Sequence, residues 1–510
     1  MAQQSRRPQS KSFWRVLSSS RNRLGDSEDS LVHPQMSQPS QQILAAATLR
    51  GPAKLAAVTS LMEKLSRDLV SANLSTQQRD STLEELKIYG RDPQNADPIF
   101  TKEGIETLAR HAFDSTSSTT SRNALRVLCN ALLLKPETRQ VFVDLGYGGK
   151  LCDKLQSDSR DDEFLVSRIL FLTTYGTDTD LTELIDNHHL ADTINKNLER
   201  HAKRRTTGSP VTDPMEDMAL TETLKLLFNI THHCKDRVSS FTSTIPHIVT
   251  LLCKGSFQVQ KPLDPPTGQL VHALLNLDIA AKEVQTFLFP ESDPSALANH
   301  LVDLLSASIT IYANEDLEPS VTPLVSVIRG VHEHAPADVK KSIRTRLLPT
   351  EDDRTEVLGR TSTLPSWLLK NSTNPLTPQL REIISNLFFD MSDRDASTFV
   401  ENVGYGFASG FLFNRNLPVP DNASEAFSTA TGGPNRPVNP ITGQFLDAER
   451  HPEEPEMTEA EREREAERLF VLFERLRANG VISAENPVRT AVQEGRFEEL
   501  PDDYGEEDTD

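Results

Sequence analysis

Cysteine is scarce: four residues in 510, at Cys129, Cys152, Cys234 and Cys253, with no CxxC pair among them. That excludes a disulfide-stapled scaffold and a finger-type zinc site, and the four read as reduced core residues. Aromatic residues make up only 6% of the chain, two of them tryptophan. No apolar run reaches the roughly 18 residues needed to cross a bilayer. The N-terminus has no apolar core of the kind a secretory signal needs. No GxxxxGK[ST] element is present, so no phosphate-cradling loop of that type exists. No segment alternates apolar and polar residues with period two, so strands are not expected. Cations are in deficit, with 54 Lys and Arg against 74 Asp and Glu and a formal net charge of −20. Nucleic acid, whose phosphates demand a basic footprint, is excluded as a partner. A basic or polar docking segment suits this charge better.

What the chain does have is a recurring helical phrase. Arg126-Val-Leu-Cys-Asn130, Arg168-Ile-Leu-Phe-Leu172, Lys225-Leu-Leu-Phe-Asn229 and His272-Ala-Leu-Leu-Asn276 each set a basic or imidazole side chain before apolar residues. Three of the four end in Asn. The last residues of the copies stand 42, 57 and 47 positions apart. Repeats of about 40–47 residues are the spacing of armadillo and HEAT solenoids. The long interval holds Lys203-Arg-Arg-Thr-Thr-Gly-Ser-Pro210, a Pro/Gly/basic stretch that reads as a loop inserted into one repeat. The fold expected is all-α: an armadillo/HEAT-like, right-handed superhelical solenoid. It is followed by an irregular C-terminal linker, one amphipathic helix and an acidic tail.

Five segments follow from composition. Residues 1–40, rich in Ser, Gln and Arg, read as a disordered basic extension, with a mitochondrial presequence as the alternative. Residues 41–414 carry the helical repeats, with apolar positions such as Leu55, Val58, Leu61, Leu65 and Leu69 at helical spacing. Helices are expected at 216–235, 244–254, 267–278 and 295–312, and the array continues through 320–345 and 376–400. Residues 415–456, rich in Pro and Gly, form an irregular linker draped over the array. Residues 457–493 form a helical segment. Thr458 and Glu461 make a capping box there, Leu469, Phe470, Phe473 and Leu476 line one face, and Gly480 fits the C-cap. Residues 494–510 are an acidic, solvated tail.

An Asn amide at the same place in successive repeats can donate to and accept from the main chain of a bound peptide. Alternatively, each Asn caps or bridges neighbouring helices inside the array. The basic side chains one turn earlier, Arg126, Arg168 and Lys225, lie on nearly the same face. They either pair with a ligand carboxylate or are simply solvated. His188-His189 and His232-His233-Cys234 do not make a metal site, because adjacent helical residues point about 100° apart and converge poorly on one ion. Gly404-Tyr-Gly-Phe-Ala-Ser-Gly410 has the wrong spacing for a nucleotide loop and no strand before it, and it reads as a helix end. No nucleophile–base arrangement stands out, so covalent chemistry is not expected, nor any cofactor or metal.

A set of phrases in fixed order then resembles the synembryn (resistance to inhibitors of cholinesterase) family over about residues 41–500. They are Leu86-Lys-Ile-Tyr-Gly-Arg-Asp92, Arg168-Ile-Leu-Phe-Leu-Thr173, Leu224-Lys-Leu-Leu-Phe-Asn-Ile-Thr231, Val403-Gly-Tyr-Gly-Phe-Ala-Ser-Gly410, Asn439-Pro-Ile-Thr-Gly443 and Met457-Thr-Glu-Ala-Glu461. The resemblance implies a protein that binds the α subunits of heterotrimeric G proteins, as folding chaperone and as non-receptor guanine nucleotide exchange factor. It implies a grip on the C-terminal helix of the α subunit, promotion of GDP release, and stabilisation of the nucleotide-free state. By position it assigns the grip to Lys87, Arg91, Asn130, Arg168, Phe171, Asn229 and Asn276. Lys87 and Arg91 face the terminal carboxylate or polar residues of the bound helix, Asn130 and Asn229 bond the last turn, and Phe171 packs the apolar side. The helix with Leu469, Phe473 and Leu476 is assigned to the GTPase domain, or else packs back on the solenoid.

Two departures stand out. Lys87 replaces the usual arginine, which removes a bidentate contact. The acidic Ser/Thr run that precedes Asn439 in animal relatives is missing, which removes the basis for phosphorylation control there. The expected state is a cytoplasmic monomer, recruited to the plasma membrane only through its α-subunit partner. The competing expectation is a generic helical scaffold or cargo adaptor without effect on nucleotide.

Overall fold

The structure, a computed structural model, describes residues 49–207, 213–418, 431–432, 436–439 and 441–449, with 458, 464, 468, 470 and 471. Residues 1–40, the tail at 494–510 and part of the 203–210 loop therefore lie outside the described residues, as do Leu469, Phe473 and Leu476. Contacts divide the chain into two units, one ending at Asp447 and one starting at Ala448. In the second, Arg464, Arg468, Phe470 and Val471 are helical and exposed.

The first unit is an α-helical solenoid. Its helices are α1 (Gly51–Ser71), α2 (Thr76–Tyr89), α3 (Lys102–Phe113), α4 (Ser118–Leu134), α5 (Glu137–Asp144), α6 (Gly148–Leu155), α7 (Arg160–Thr173), α8 (Leu181–Asp186), α9 (Leu190–Thr206) and α10 (Pro214–His233). They continue as α11 (Ile245–Lys254), α12 (Thr267–Leu274), α13 (Gln285–Leu288), α14 (Ala296–Ile311), α15 (Leu317–His334), α16 (Ala337–Leu347), α17 (Leu364–Ser372), α18 (Pro378–Met391), α19 (Ala396–Val403) and α20 (Tyr405–Asn414). Side chains of small polar residues start many of them. Ser75, Thr101, Ser117, Ser159, Asp180, Asp213, Thr363 and Asp395 each accept a hydrogen bond from a first-turn backbone N–H. These bonds satisfy donors that a helix start otherwise leaves unpaired.

The helices pack in two rows. In the first row α2, α4, α7, α10, α12, α15 and α18 each lie against the next. In the second, α9, α11, α14 and α16 do the same, and pairs such as α3·α4, α6·α7, α9·α10 and α14·α15 join the rows. Contacts between first-row neighbours advance in step along both helices. Arg122 reaches Ser159 and Cys129 reaches Leu165, while Ser167 meets Thr223 and Thr174 meets Asn229. First-row neighbours are therefore parallel, as repeated units must be. Leu, Ile and Val from both rows form one continuous apolar cluster.

Three expectations need correction. The stretch 320–345 is two helices, because Pro336 cannot supply the N–H that a continuing helix needs, and the chain breaks at Ala335–Pro336. Helix α17 lies in the gap between the expected stretches 320–345 and 376–400, where no helix was named. A two-residue antiparallel pair joins Thr431–Gly432 to Arg436–Pro437, so strand structure is not absent. Pairing this short shows no period-two pattern to read.

The Pro/Gly-rich stretch is bonded to the repeats by main-chain groups. Leu358 N donates to Thr442 O at 3.0 Å, Gly406 N to Ile441 O at 3.1 Å, and Phe445 N to Arg354 O at 2.8 Å. Asn439 Oδ1 accepts from Ile441 N and Thr442 N and shapes the turn. Gly404 closes α19 at φ +80°, and a Cβ there would come within 3.2 Å of Ile441 O. The Gly404–Gly410 and Asn439–Gly443 phrases thus meet, one making room for the other.

Between the rows, α7, α9 and α10 share a buried charge cluster. His201, 2% exposed at its side chain, stands 2.9 Å from Glu163 through Nε2 and 2.6 Å from Glu216 through Nδ1. Arg200 also holds Glu163, and Arg160 and Arg204 hold Glu216. Burial drags the imidazole pKa down, but the two carboxylates outweigh it and raise it above the ordinary value. Burial likewise pushes Glu216 up, and His201 and Arg204 overcome that to hold it at about 2.

A group whose folded pKa is raised stabilises fully below its unfolded pKa, near 6.5, and loses that contribution as pH rises through the folded value. His201→Leu should cost about 3–5 kcal/mol at pH 6, because it strands buried carboxylates. Urea melts of both proteins should show the gap narrowing as pH is raised to 9. A gap independent of pH would mean the ring is neutral in the fold.

Candidate functional site

The recurring phrases lie towards the C-terminal ends of four successive first-row helices, α4, α7, α10 and α12, with Asn276 two residues past the end of α12. Lys87 sits in the last turn of α2, the preceding helix of the row, and Arg91 just beyond its C-cap Gly90. The structure thus brings the predicted residues of five repeats into one strip. First-row helices are buried on most sides and keep one half-exposed line each. On α4 that line is Arg122, Arg126 and Asn130, and on α7 it includes Arg168 and Phe171.

The centre of the strip is a buried carboxylate. Glu222, 4% exposed at its side chain, takes Arg168 Nη2 from α7 at 3.3 Å and Lys225 Nζ from its own helix at 2.9 Å. Burial pushes its pKa up, but Lys225 and Arg168 together prevail and hold it below the ordinary carboxylate range. Arg168 and Lys225, from successive first-row helices, thus share one buried carboxylate in a strongly acidic protein. Both cations also sit on rings. The Arg168 guanidinium is 4.5 Å from the Phe164 centroid, and Lys225 Nζ is 5.9 Å from that of Phe171. Phe171 meets Tyr175 edge to face at 5.2 Å. One helix earlier, Arg126 pairs with Asp161 at 2.8 Å and Arg122 with Asp162 at 2.9 Å.

The basic positions of the phrase are therefore neither simply solvated nor waiting for a ligand. They tie each first-row helix to its neighbours. The amides divide. Asn130 is half-buried at the strip. Asn229 is 1% exposed. Its Nδ2 donates to Thr174 Oγ1 at 2.7 Å, and its Oδ1 accepts from the Tyr175 hydroxyl at 3.5 Å. The expectation that Asn229 bonds the last turn of a ligand is thus corrected. Burial and its two partners make it a bridge between α10 and the end of α7. Asn276 Nδ2 donates to Phe228 O at 3.1 Å, again across neighbouring helices.

Beyond Asn229 the strip turns aromatic. Phe228 stacks on His232 at 6.2 Å and meets His272 at 6.0 Å. Burial pulls both imidazoles down, His272 to about 4, so they are neutral at pH 7. The strip thus carries cations on α2, α4, α7 and α10, those of α4 paired with Asp161 and Asp162, and uncharged rings where α10 ends and on α12. Such a surface supplies charged donors at one end and apolar or amide contacts at the other, which suits a chain terminus followed by an apolar helical face. Sequence reasoning missed Glu222, Thr174 and Tyr175. Glu222 stands three residues before Lys225, a spacing at which helical side chains meet, and that was the available signal.

A family model described as guanine nucleotide exchange factor synembryn matches residues 82–496 of this chain. Chaperone Ric-8A of Macaca fascicularis is 27% identical over 469 residues, which span 82% of this chain and 85% of that protein. Chaperone Ric-8A of Gallus gallus is 24% identical over 451 residues, spanning 78% and 81%. A synembryn-like chaperone of Schizosaccharomyces pombe is 24% identical over 297 residues, 55% of each chain. An engineered protein of known structure aligns over 75% of this chain and 95% of its own at 15% identity and a TM-score of 0.40, too distant to bear on the arrangement.

Neutralising Glu222 should loosen the strip from beneath. Glu222→Gln leaves Arg168 and Lys225 facing each other without their anion, and chemical denaturation should register a loss of roughly 3 kcal/mol at pH 7. Because the Glu222 pKa is depressed, its contribution is present above the ordinary carboxylate pKa and disappears as pH falls through the folded value. The variant and the parent should therefore converge in acid. A parent-like stability at pH 7 would remove Glu222 from this role.

Proposed function

This chain belongs to the guanine nucleotide exchange factor synembryn family, and from that premise we propose that it binds G-protein α subunits by their C-terminal helix. The bound helix lies along the strip, with its terminal carboxylate towards Lys87 and Arg91. Asn130 bonds the last turn, and Phe171 packs the apolar side. The observation that carries this reading is the strip itself, with basic side chains along α2 to α10 and uncharged rings at its far end. The relatives' names support chaperoning of the α subunit as a second face of the same binding. The segment 457–493, through Leu469, Phe473 and Leu476, contacts the GTPase domain. The protein acts as a monomer in the cytoplasm and reaches the plasma membrane through its partner. No described helix is long and apolar enough to cross a membrane.

Exchange on this reading needs no bond making. Holding the C-terminal helix away from the GTPase core favours the open α subunit, whose nucleotide pocket is slack, and GDP leaves. The protein shifts that equilibrium only as far as it prefers the open form over the closed one. Each tenfold preference corresponds to about 1.4 kcal/mol.

Two measurements test the proposal. Labelled-GDP release from a purified α subunit should accelerate when this chain is added, and an unchanged rate would favour a passive scaffold. Calorimetry with a peptide copying the C-terminal helix of the α subunit should give micromolar binding or better. Replacing Arg91 and Asn130 together by alanine should weaken it about tenfold or more, the loss of one charged and one neutral hydrogen bond. Unaltered affinity would clear the strip of this task.

A further inference from the structure

The phrase Leu86–Asp92 ends in an aspartate that partner binding leaves without a task. Its neighbour in space is Lys54, on α1, only 4% exposed. Lysine is almost never this buried unless paired. Lys54 Nζ donates to the main-chain O of Asp92 at 2.7 Å. It also stands 3.6 Å from Asp92 Oδ2. The other carboxylate oxygen, Oδ1, accepts from Gln94 N at 3.0 Å. One buried ammonium therefore grips Asp92 by both its backbone and its side chain, and the same carboxylate shapes the turn that follows.

The other side of Arg91 is fixed as well. Gly90 N donates to Leu86 O at 2.8 Å and Arg91 N to Ile88 O at 3.3 Å, which closes α2. A Cβ on Gly90 would come within 3.1 Å of Leu86 O, so glycine lets the chain turn tightly there. Arg91 is exposed between a capped helix end and a clamped aspartate. Its backbone is set before any partner arrives, which reduces the ordering that binding must otherwise bring about.

We propose that Lys54 is a positioning residue for partner binding: it fixes Asp92 and so directs Arg91 at the terminal carboxylate of the bound helix. Lys54 itself lies on α1, beneath the turn, and does not touch the partner. This inference rests on the peptide-binding reading given above, and it deepens it by naming what holds the carboxylate-reading end in place.

The test uses the full chain and one peptide copying the C-terminal helix of the α subunit, made in two forms, with a free carboxylate and with a terminal amide. Wild type should bind the free acid about tenfold tighter than the amide. Arg91→Ala should bring that ratio down to about threefold, the part Lys87 supplies. Lys54→Met should do the same while leaving affinity for the amide within about twofold, since the rest of the strip is untouched. The double variant should discriminate no less than Arg91→Ala alone. A wild-type ratio in Lys54→Met overturns the inference, and so does a further drop in the double variant. If Lys54→Met also loses the amide peptide, Lys54→Gln decides, because it keeps a donor for Asp92 O and lacks the charge. Its ratio should fall between wild type and Arg91→Ala, and a wild-type ratio again overturns the inference. A wild-type chain that binds neither peptide refutes the peptide-binding reading itself, a result distinct from all of these.

Discussion

A buried carboxylate clasped by cations from two successive repeats is the interaction on which this molecule depends. In a repeat array each layer touches only its neighbours, so nothing distant corrects an error of register. Apolar packing of Leu and Val tolerates small slides. An ion pair inside the stack does not, because a misplaced partner leaves a charge in a poor solvent. Glu222 under Arg168 and Lys225 sets α10 against α7. Asp161 and Asp162 under Arg126 and Arg122 set α7 against α4. Further along, Arg329 of α15 reaches Asp390 of α18. The same device recurs where the repeats do.

These pairs also decide what the surface looks like. Each clasp brings a cation to the half-exposed line of its helix and fixes it there against a ring or a neighbouring carboxylate. The strip is therefore local in origin, a product of stacking, and it persists in a chain whose total charge is −20. Screening limits the reach of that total charge to about 8 Å at physiological ionic strength. On the reading proposed above, a partner at the strip responds chiefly to the nearby side chains, with the distant acidic surface contributing little.

The helical array was legible from the phrase Arg126–Asn130 and its copies, because a repeat shows itself by period alone. Helices expected at 216–235, 244–254 and 295–312 match α10, α11 and α14 within two residues. The fate of the recurring polar positions was not legible. Whether Asn229 faces a ligand or a neighbour depends on Thr174 and Tyr175, 55 and 54 residues away. Whether Arg168 is solvated depends on Glu222, 54 residues on. Nothing local in the sequence marks Lys54, because its contact with Asp92 spans 38 residues. Short-range pattern carries burial and helicity. It does not carry which polar group meets which across the stack.

The same pairing explains how a protein can act on a nucleotide it does not need to touch. Moving a two-state partner from almost wholly closed to almost wholly open takes a preference of about 5.5 kcal/mol. A charged hydrogen bond contributes about 1.5–3 kcal/mol, so two or three well-held contacts at a helix terminus are of the right size. They reach that size only if the groups making them are already ordered, since freezing a long Arg or Lys side chain costs about 0.5–1.5 kcal/mol each. Arg168 and Lys225 are ordered by Glu222, and the backbone at Arg91 is ordered by the turn that Lys54 grips. On the reading proposed above, the fold supplies position and the partner supplies the two states, and only contacts made better to the open form than to the closed one shift the balance.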